Sequence, residues 1–257
     1  MKEKKALVTG AGTGIGQAIA VDLASQGVEV WLNGRRTEPL QQTLDKIKAD
    51  GGAGHLVPGD MTDPDEISRV AEQVLSESAG IDILINNAGF SSKVRSARYI
   101  DSQEWRDVMD VNTMGPAMLT RAMLPTMIEN QSGDIVMISS MAALRPNVMA
   151  GVVYSAAKAG CKAYMEALQQ EVKRYGIRCL TVYPGEVDTP ILDNRALNPD
   201  EAARALMMQS EDISAAVMMA VSLPHRATVT EIAITATMPR DMTADVSAAL
   251  TKQTPDG

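Results

Sequence analysis

The chain has 257 residues, a formal net charge of −8, 45% hydrophobic and 22% charged residues. That length suffices for one large domain, and the composition is that of a soluble globular protein. The acidic balance argues against a surface for nucleic acid or anionic membrane, and only two cysteines, Cys161 and Cys179, imply no disulfide framework.

Met1-Lys-Glu-Lys-Lys passes straight into a strand pattern with no apolar signal segment, and no run approaches membrane-span length. The expected location is therefore the cytoplasm. His55 and His225 lie far apart without nearby ligand spacing, so no metal site is expected. Pairs among the seventeen methionines, such as Met207-Met208 and Met218-Met219, read as adaptable apolar packing.

Ala6-Leu-Val-Thr9 reads as a strand, Gly10 to Gly16 as a glycine-rich turn, and Gln17 onward as a helix stopped by Gly27. Glycines admit left-handed backbone and close approach of a phosphate, which the free N–H groups of the helix start then face. The pattern is Thr9-Gly10-x-x-x-Gly14-x-Gly16. Ile15 stands where the common dinucleotide fingerprint has its third glycine, and no Gly-Lys-Ser or Gly-Lys-Thr follows for a P-loop.

A second strand, Val28 to Asn33, leads to Gly34-Arg35-Arg36-Thr37. In a nucleotide-binding βαβ unit this strand end meets the adenosine ribose, where an acidic residue would bind a free 2'-hydroxyl. Here no acid follows and two arginines do, which favours a 2'-phosphate and hence NADP over NAD. Solvated arginines opening a surface helix are the plain alternative.

Thr37 to about Asp50 reads as a helix and His55-Leu-Val-Pro as a short strand leading to Gly59-Asp60-Met61. Asp60 either accepts from an adenine amino group, with Met61 on the base, or forms a simple turn. Asp63-Pro64-Asp65-Glu66 starts a helix closed by Gly80. Ile81 to Asn86 is a buried strand running into Asn87-Ala88-Gly89, whose small residues leave room for a ligand.

Ser102 to Asn130 reads as one long helix with Trp105, Val108, Met109, Val111 and Met118 on its apolar side. Asn112 is a polar amide on that stripe and needs partners. Gly133 to Ser139 is a buried strand ending beside Ser140. A helix from about Gly151 places Tyr154 and Lys158 one turn apart on one face, where an ammonium beside a phenol favours proton exchange. Its opposite side carries Ala156, Ala157, Ala159, Gly160 and Ala163, suited to close helix packing.

Ile177 to Tyr183 is a further strand ending in Pro184-Gly185-Glu-Val187-Asp-Thr189. Residues 191–210 show no firm pattern and read as a lid, Asp212 to Leu223 as a helix, Thr228 to Ala236 as a last strand, and 239–257 as a loose tail. Strands and helices alternate without a linker. The expected architecture is one α/β domain, doubly wound and Rossmann-type, with a mainly parallel sheet of about seven strands.

Thr9 to Gly16, Asn86-Asn-Ala-Gly89, Asn112, Ser140, Tyr154-x-x-x-Lys158 and Pro184-Gly185 together resemble the short-chain dehydrogenase/reductase family from about Lys5 to Thr237. The carboxyl-terminal part is most similar to the branch of serine and 3-hydroxy acid dehydrogenases and clavulanate-type aldehyde reductases. The resemblance implies Tyr154 as general acid/base, Ser140 orienting the substrate oxygen, Lys158 assisting Tyr154 and binding the nicotinamide ribose, and Asn112 supporting a relay water. It further implies cofactor contacts from Gly10, Thr13, Gly14, Ile15, Gly16, Arg35, Arg36, Asp60, Met61, Asn87, Ala88, Gly89, Pro184, Gly185, Val187 and Thr189, and a homodimer or homotetramer.

One departure stands out. Ser140 precedes Tyr154 by fourteen residues where many members have thirteen, and the additional residue is read between Pro146 and Tyr154. The expected activity is hydride transfer between NADP(H) and a small carbonyl or alcohol, with Lys93, Arg95 and Arg145 near the pocket mouth as candidate partners for an anionic substrate group. The alternatives are a non-catalytic NADP sensor or scaffold, and an epimerase or dehydratase that never releases its cofactor.

Overall fold

Seven strands form one parallel sheet in the order β3-β2-β1-β4-β5-β6-β7. They are β1 Lys5–Thr9, β2 Glu29–Asn33, β3 Gly54–Leu56, β4 Ile83–Asn86, β5 Gly133–Ile138, β6 Ile177–Pro184 and β7 Glu231–Ile234. The structure is a computed structural model, and it describes residues 1–254. Strand order reverses between β1 and β4, so the carboxyl ends of these two strands flank the crevice where such sheets take ligands.

Among the described residues the α-helices are α1 Gly14–Ser25, α2 Thr37–Ala49, α3 Pro64–Ser78, α4 Ser102–Met109, α5 Gly115–Glu129, α6 Met141–Leu144, α7 Val152–Val172, α8 Glu201–Arg204, α9 Ser210–Val221 and α10 Thr243–Thr251. Side chains alternate across a strand, so each central strand feeds two cores. Ala6, Val8, Val30, Leu32, Ile83 and Ile85 pack with Ile19, Leu23, Leu40, Ile213 and Val217 from α1, α2 and α9. Leu7, Trp31, Leu84, Ile135 and Met137 pack on the other face with α3, α5 and α7. Near-continuous apolar strands are what burial on both faces requires.

Local signals account for several boundaries. Asp63 caps α3 by accepting from the N–H groups of Asp65 and Glu66, with Pro64 at the first helical position and Ala79 left-handed at the end. The expected long helix from Ser102 to Asn130 is instead two helices joined by a π-helical turn, Asp110–Met114. The interruption has packing causes that no periodicity carries: Asn112 Nδ2 donates to the carbonyls of both Val108 and Phe90, and a side chain at Gly115 would lie 2.1 Å from the Met61 carbonyl oxygen. Trp105 faces outward, 40% exposed, rather than lying on the apolar stripe.

The carboxyl-terminal region also departs from expectation. Residues 191–210 contain a 3-10 turn at Pro190–Asn194, the short α8, and a bridge from Val187 to Met208, each too short to show a period. The expected loose tail holds α10, with Asp245 and Ala249 buried; residues 255–257 of that tail lie outside the described residues. Of the methionine pairs, Met207 and Met208 are buried, whereas Met218 packs inward and Met219 is exposed. Among the described residues, no helix is long and apolar enough to cross a membrane.

Candidate active site

Among the described residues Lys158 is the only buried lysine, and its surroundings organise the site. It follows Tyr154 by one turn of α7, with Nζ 5.6 Å from the centre of the phenol ring. Nζ donates to the Ile138 carbonyl at 3.0 Å, and the Ser139 hydroxyl donates to the Lys158 carbonyl at 3.2 Å, so the end of β5 and the start of α7 are tied together at this point. Ser140 follows directly and caps α6, its Oγ accepting from the Ala142 N–H at 3.1 Å.

Asn112 approaches from the π-helical turn. Both of its Nδ2 bonds go to backbone carbonyls, while Oδ1 is buried with no protein partner. Such an orphaned acceptor is unusual in a folded interior. Gly89 explains the geometry: a first side-chain carbon there would lie 2.6 Å from Asn112 Oδ1 and 3.4 Å from Lys158 Nζ, so only glycine lets the amide and the ammonium face a shared space. Cys161, also on α7, donates through its thiol to the Asn112 carbonyl at 2.7 Å, and burial raises that thiol's pKa.

At the β1 end the glycines do distinct work. Gly10 has φ +65° and Gly14 φ +56°, angles that disfavour any side chain. Gly16 lies against the Gly10 carbonyl, where an added carbon would sit 2.3 Å from the oxygen. Asn87 Nδ2 donates to the carbonyls of Thr9 and Gly10, and the Thr9 hydroxyl accepts from the N–H groups of Asn87 and Ala88, which locks the turn to the end of β4.

A groove runs along these strand ends, lined by Gly10, Gly12, Thr13, Asn33, Gly34, Arg35, Arg36, Asp60, Met61, Thr62, Ala88, Gly89, Phe90 and Val111 among others. Arg35 pairs loosely with Asp60 at 3.8 Å and is 70% exposed. An exposed pair of that kind contributes about 0–1 kcal/mol, too little to withhold the guanidinium from a phosphate. Asp60 also accepts from the Thr62 N–H and hydroxyl, both at 2.9 Å, so the turn and the groove wall are the same feature.

The remaining expected contacts occupy other places. Ile15, half-buried, packs against the core, Pro184 and Val187 are buried at and beyond the end of β6, and the Gly185 N–H donates to the Ile234 carbonyl at 2.8 Å. Thr189 lies beside Gly14, its Cγ2 3.1 Å from where a side chain would start, which brings the loop after β6 over the glycine turn. The additional residue between Pro146 and Tyr154 falls in a turn where Asn147 Oδ1 accepts from the Ala150 N–H and Gly151 takes φ +85°.

Sequence reasoning missed several groups. Phe90, Thr62, Val111 and Leu40 line the groove without any motif to mark them. A carboxyl-terminal ion cluster is likewise absent from any pattern. Arg240 forks onto both Glu186 and Asp245 at 2.8–2.9 Å, and Arg195 reaches Glu186 at 2.7 Å. Burial alone raises Glu186; Arg240 and Arg195 outweigh it and hold its carboxyl below the usual range. Arg240 does the same for Asp245.

These positions fit a phosphorylated dinucleotide: a glycine cradle under a helix start, no acid at the end of β2, and two arginines on the groove wall. The description of the short chain dehydrogenase family matches residues 4–200. An uncharacterised oxidoreductase of Staphylococcus aureus strain USA300 is 34% identical over 236 residues, covering 91% of this chain and 97% of that protein. One from Staphylococcus epidermidis is 30% identical over 234 residues with the same coverage.

Among solved structures, a metagenomic short-chain oxidoreductase in complex with NADP is similar with TM-score 0.81 and 29% identity, covering 93% of this chain and 99% of that one. The closed form of a serine dehydrogenase complexed with NADP+ gives TM-score 0.82 and 29% identity, covering 90% and 94%. Sheet order and these similarities agree, and the chain belongs to the short-chain dehydrogenase family of oxidoreductases.

Proposed function

We propose that the protein is an NADP(H)-dependent oxidoreductase that moves a hydride between the nicotinamide and a small carbonyl or alcohol substrate. The observation that carries this is Lys158 Nζ, 5.6 Å from the Tyr154 ring and bonded to the Ile138 carbonyl two residues before Ser140, with the orphaned Oδ1 of Asn112 facing the same ammonium across Gly89. A bound nicotinamide would supply the hydride. Tyr154 gives its phenolic proton to the carbonyl oxygen in reduction and takes it back in oxidation. Ser140 donates to the same oxygen and orients it.

Lys158, held by the Ile138 carbonyl, keeps a positive charge beside the phenol and would bind the nicotinamide ribose. Asn112 Oδ1 accepts from the hydrogen-bonded relay that replaces the tyrosine proton. Arg35 and Arg36 would bind the 2'-phosphate, with Asp60 and Met61 at the base and Gly10, Thr13 and Gly14 along the pyrophosphate. Solved relatives with NADP support that choice of cofactor. The exposed small residues Ala156 and Ala163 on α7 suit a homodimer or homotetramer contact.

A sensor or scaffold without catalysis would have no use for Tyr154, and no observation favours it. A panel of aldehydes, ketones and hydroxy acids followed by NADPH absorbance, run in parallel with NADH, tests the proposal. Turnover with NADPH and a kcat/KM at least tenfold lower with NADH is expected. Equal rates with both cofactors contradict the role of Arg35, and silence throughout contradicts the activity.

A further inference from the structure

Of the three cations expected near the pocket mouth, Arg145 is exposed and Lys93 half-buried, whereas Arg95 is only 5% exposed. Its guanidinium lies where three loops around Tyr154 converge. Nη1 donates to the Ser91 hydroxyl and, at 2.8 Å, to the Ala150 carbonyl, and Nη2 donates to the Asn194 carbonyl at 2.9 Å. The Arg95 carbonyl accepts from the Val152 N–H at 3.2 Å, and a side chain at Gly151 would meet Arg95 Cδ at 2.9 Å. Arg95 therefore packs directly against the first turn of α7, which carries Tyr154.

Those contacts use three of the five donors of a guanidinium. What remains is Nε–H, buried without a partner, and one hydrogen of Nη2. Nε–H is one half of the guanidinium edge that takes a carboxylate in two parallel bonds. Among the described residues Arg95 has no ion-pair partner: Glu104 is engaged by the Ser92 hydroxyl, and Glu186 by Arg195 and Arg240.

A positive charge here needs a reason. All three acceptors are neutral, so a side-chain amide would staple the loops at far lower desolvation cost. Burial pushes the Arg95 guanidinium down to about 10, with Tyr154 and Glu104 opposing the fall and Arg195 adding to it. Tyr154 is thus within electrostatic reach of a cation that has no direct ion pair.

We propose that Arg95 receives the carboxylate of the substrate at its unpartnered Nε–H, so that the compound reduced or oxidised at Tyr154 is a small acid. This rests on the carbonyl/alcohol activity above but is tested apart from it. Propanoate, butanoate and pentanoate, and the primary amide of each, are titrated calorimetrically into the protein–NADP+ complex. At least one acid is expected to bind about 100-fold tighter than its amide, the scale of lost charge-assisted hydrogen bonds.

Arg95→Gln should erase that preference while leaving NADP+ affinity and melting temperature near those of the parent protein. Arg95→Lys, which keeps charge without the fork, should bind the acid more weakly than the parent does. The proposal is overturned if no acid binds, if acid and amide bind alike, or if Arg95→Gln retains acid binding. Should Arg95→Gln fail to fold, full-strength acid binding by Arg95→Lys overturns it. Acid binding without turnover of any substrate refutes the redox activity alone; turnover of neutral carbonyls without acid binding refutes the role of Arg95 alone.

Discussion

At Gly16 the carbonyl oxygen of Gly10 and the amide of Asn87 leave no space for even a methyl group, at 2.3 and 2.4 Å from its would-be first carbon. The clash on one side is with backbone, which cannot swing away as a long side chain would. Gly16→Ala should cost about 1–3 kcal/mol as forced overpacking and push apart the turn proposed to hold the cofactor. Thermal unfolding and a fluorescence titration with NADPH check both effects. Unchanged melting and affinity would show that the turn opens more freely than its contacts imply. The sequence marks Gly16 by its spacing from Gly10 and Gly14, yet gives no hint that Gly89 has a comparable duty between Asn112 and Lys158. That duty arises from β4, the π-helical turn and α7 meeting in space, and no local pattern encodes a three-way contact.

Among the elements, β5 and β6 owe their alignment to more than their ladder. Arg178 forks onto Asp134 at 2.6 and 2.9 Å and donates to the carbonyls of Val221, Leu223 and Ala227, joining both strands to the end of α9. Both side chains are nearly buried, at 11% and 8% exposed. Removing Arg178 leaves the buried Asp134 carboxylate only the looser Lys4 at 3.7 Å, so Arg178→Ala should destabilise by about 3 kcal/mol, against about 0–1 kcal/mol for an exposed pair such as Arg35 with Asp60. Denaturant unfolding of Arg178→Ala and Arg35→Ala measures the contrast. Comparable small losses would mean that water reaches the Asp134 carboxylate.

Elements with a strong period were legible from the residues alone. The central strands, α2 with its Thr37 start, and α3 with its proline and acidic cap all stand close to where the pattern put them. The break at Asp110–Met114 was hidden because α4 and α5 keep apolar residues on one side through the turn, and the cause lies in partners distant in sequence, Phe90 and Met61. A π-helical turn at a functional amide is a recurrent arrangement. It was visible only as the oddity of Asn112.

For the whole molecule, the carboxyl-terminal segment is a strap across the loop after β6. Arg240 bridges Glu186 and Asp245, and Met149, close to the Tyr154 turn, touches the same guanidinium. Alternating apolar residues cannot announce such a strap, because it is held by charges scattered from position 186 to 245. Glu186 and Asp245 have depressed values in the folded state, so their contribution is fully present above the ordinary carboxylate range of about 4 and is lost as pH falls through the lower folded values. Protease resistance around residues 238–242 should therefore hold from pH 8 to 5 and fail below about 4. Arg240→Ala should abolish it at pH 7. Resistance that persists in the variant would locate the anchor in Ala249 packing instead.

The whole account turns on Tyr154 as the group that exchanges a proton with the substrate oxygen above the strand ends. Substitution Tyr154→Phe removes that hydroxyl and leaves the ring, Lys158 and the groove in place. Steady-state oxidation of NADPH with the best carbonyl substrate, measured beside NADPH binding by fluorescence, should show turnover reduced by about 100-fold or more with binding within a few-fold of the parent protein. Turnover retained at the parent rate, with cofactor bound, would contradict the assignment.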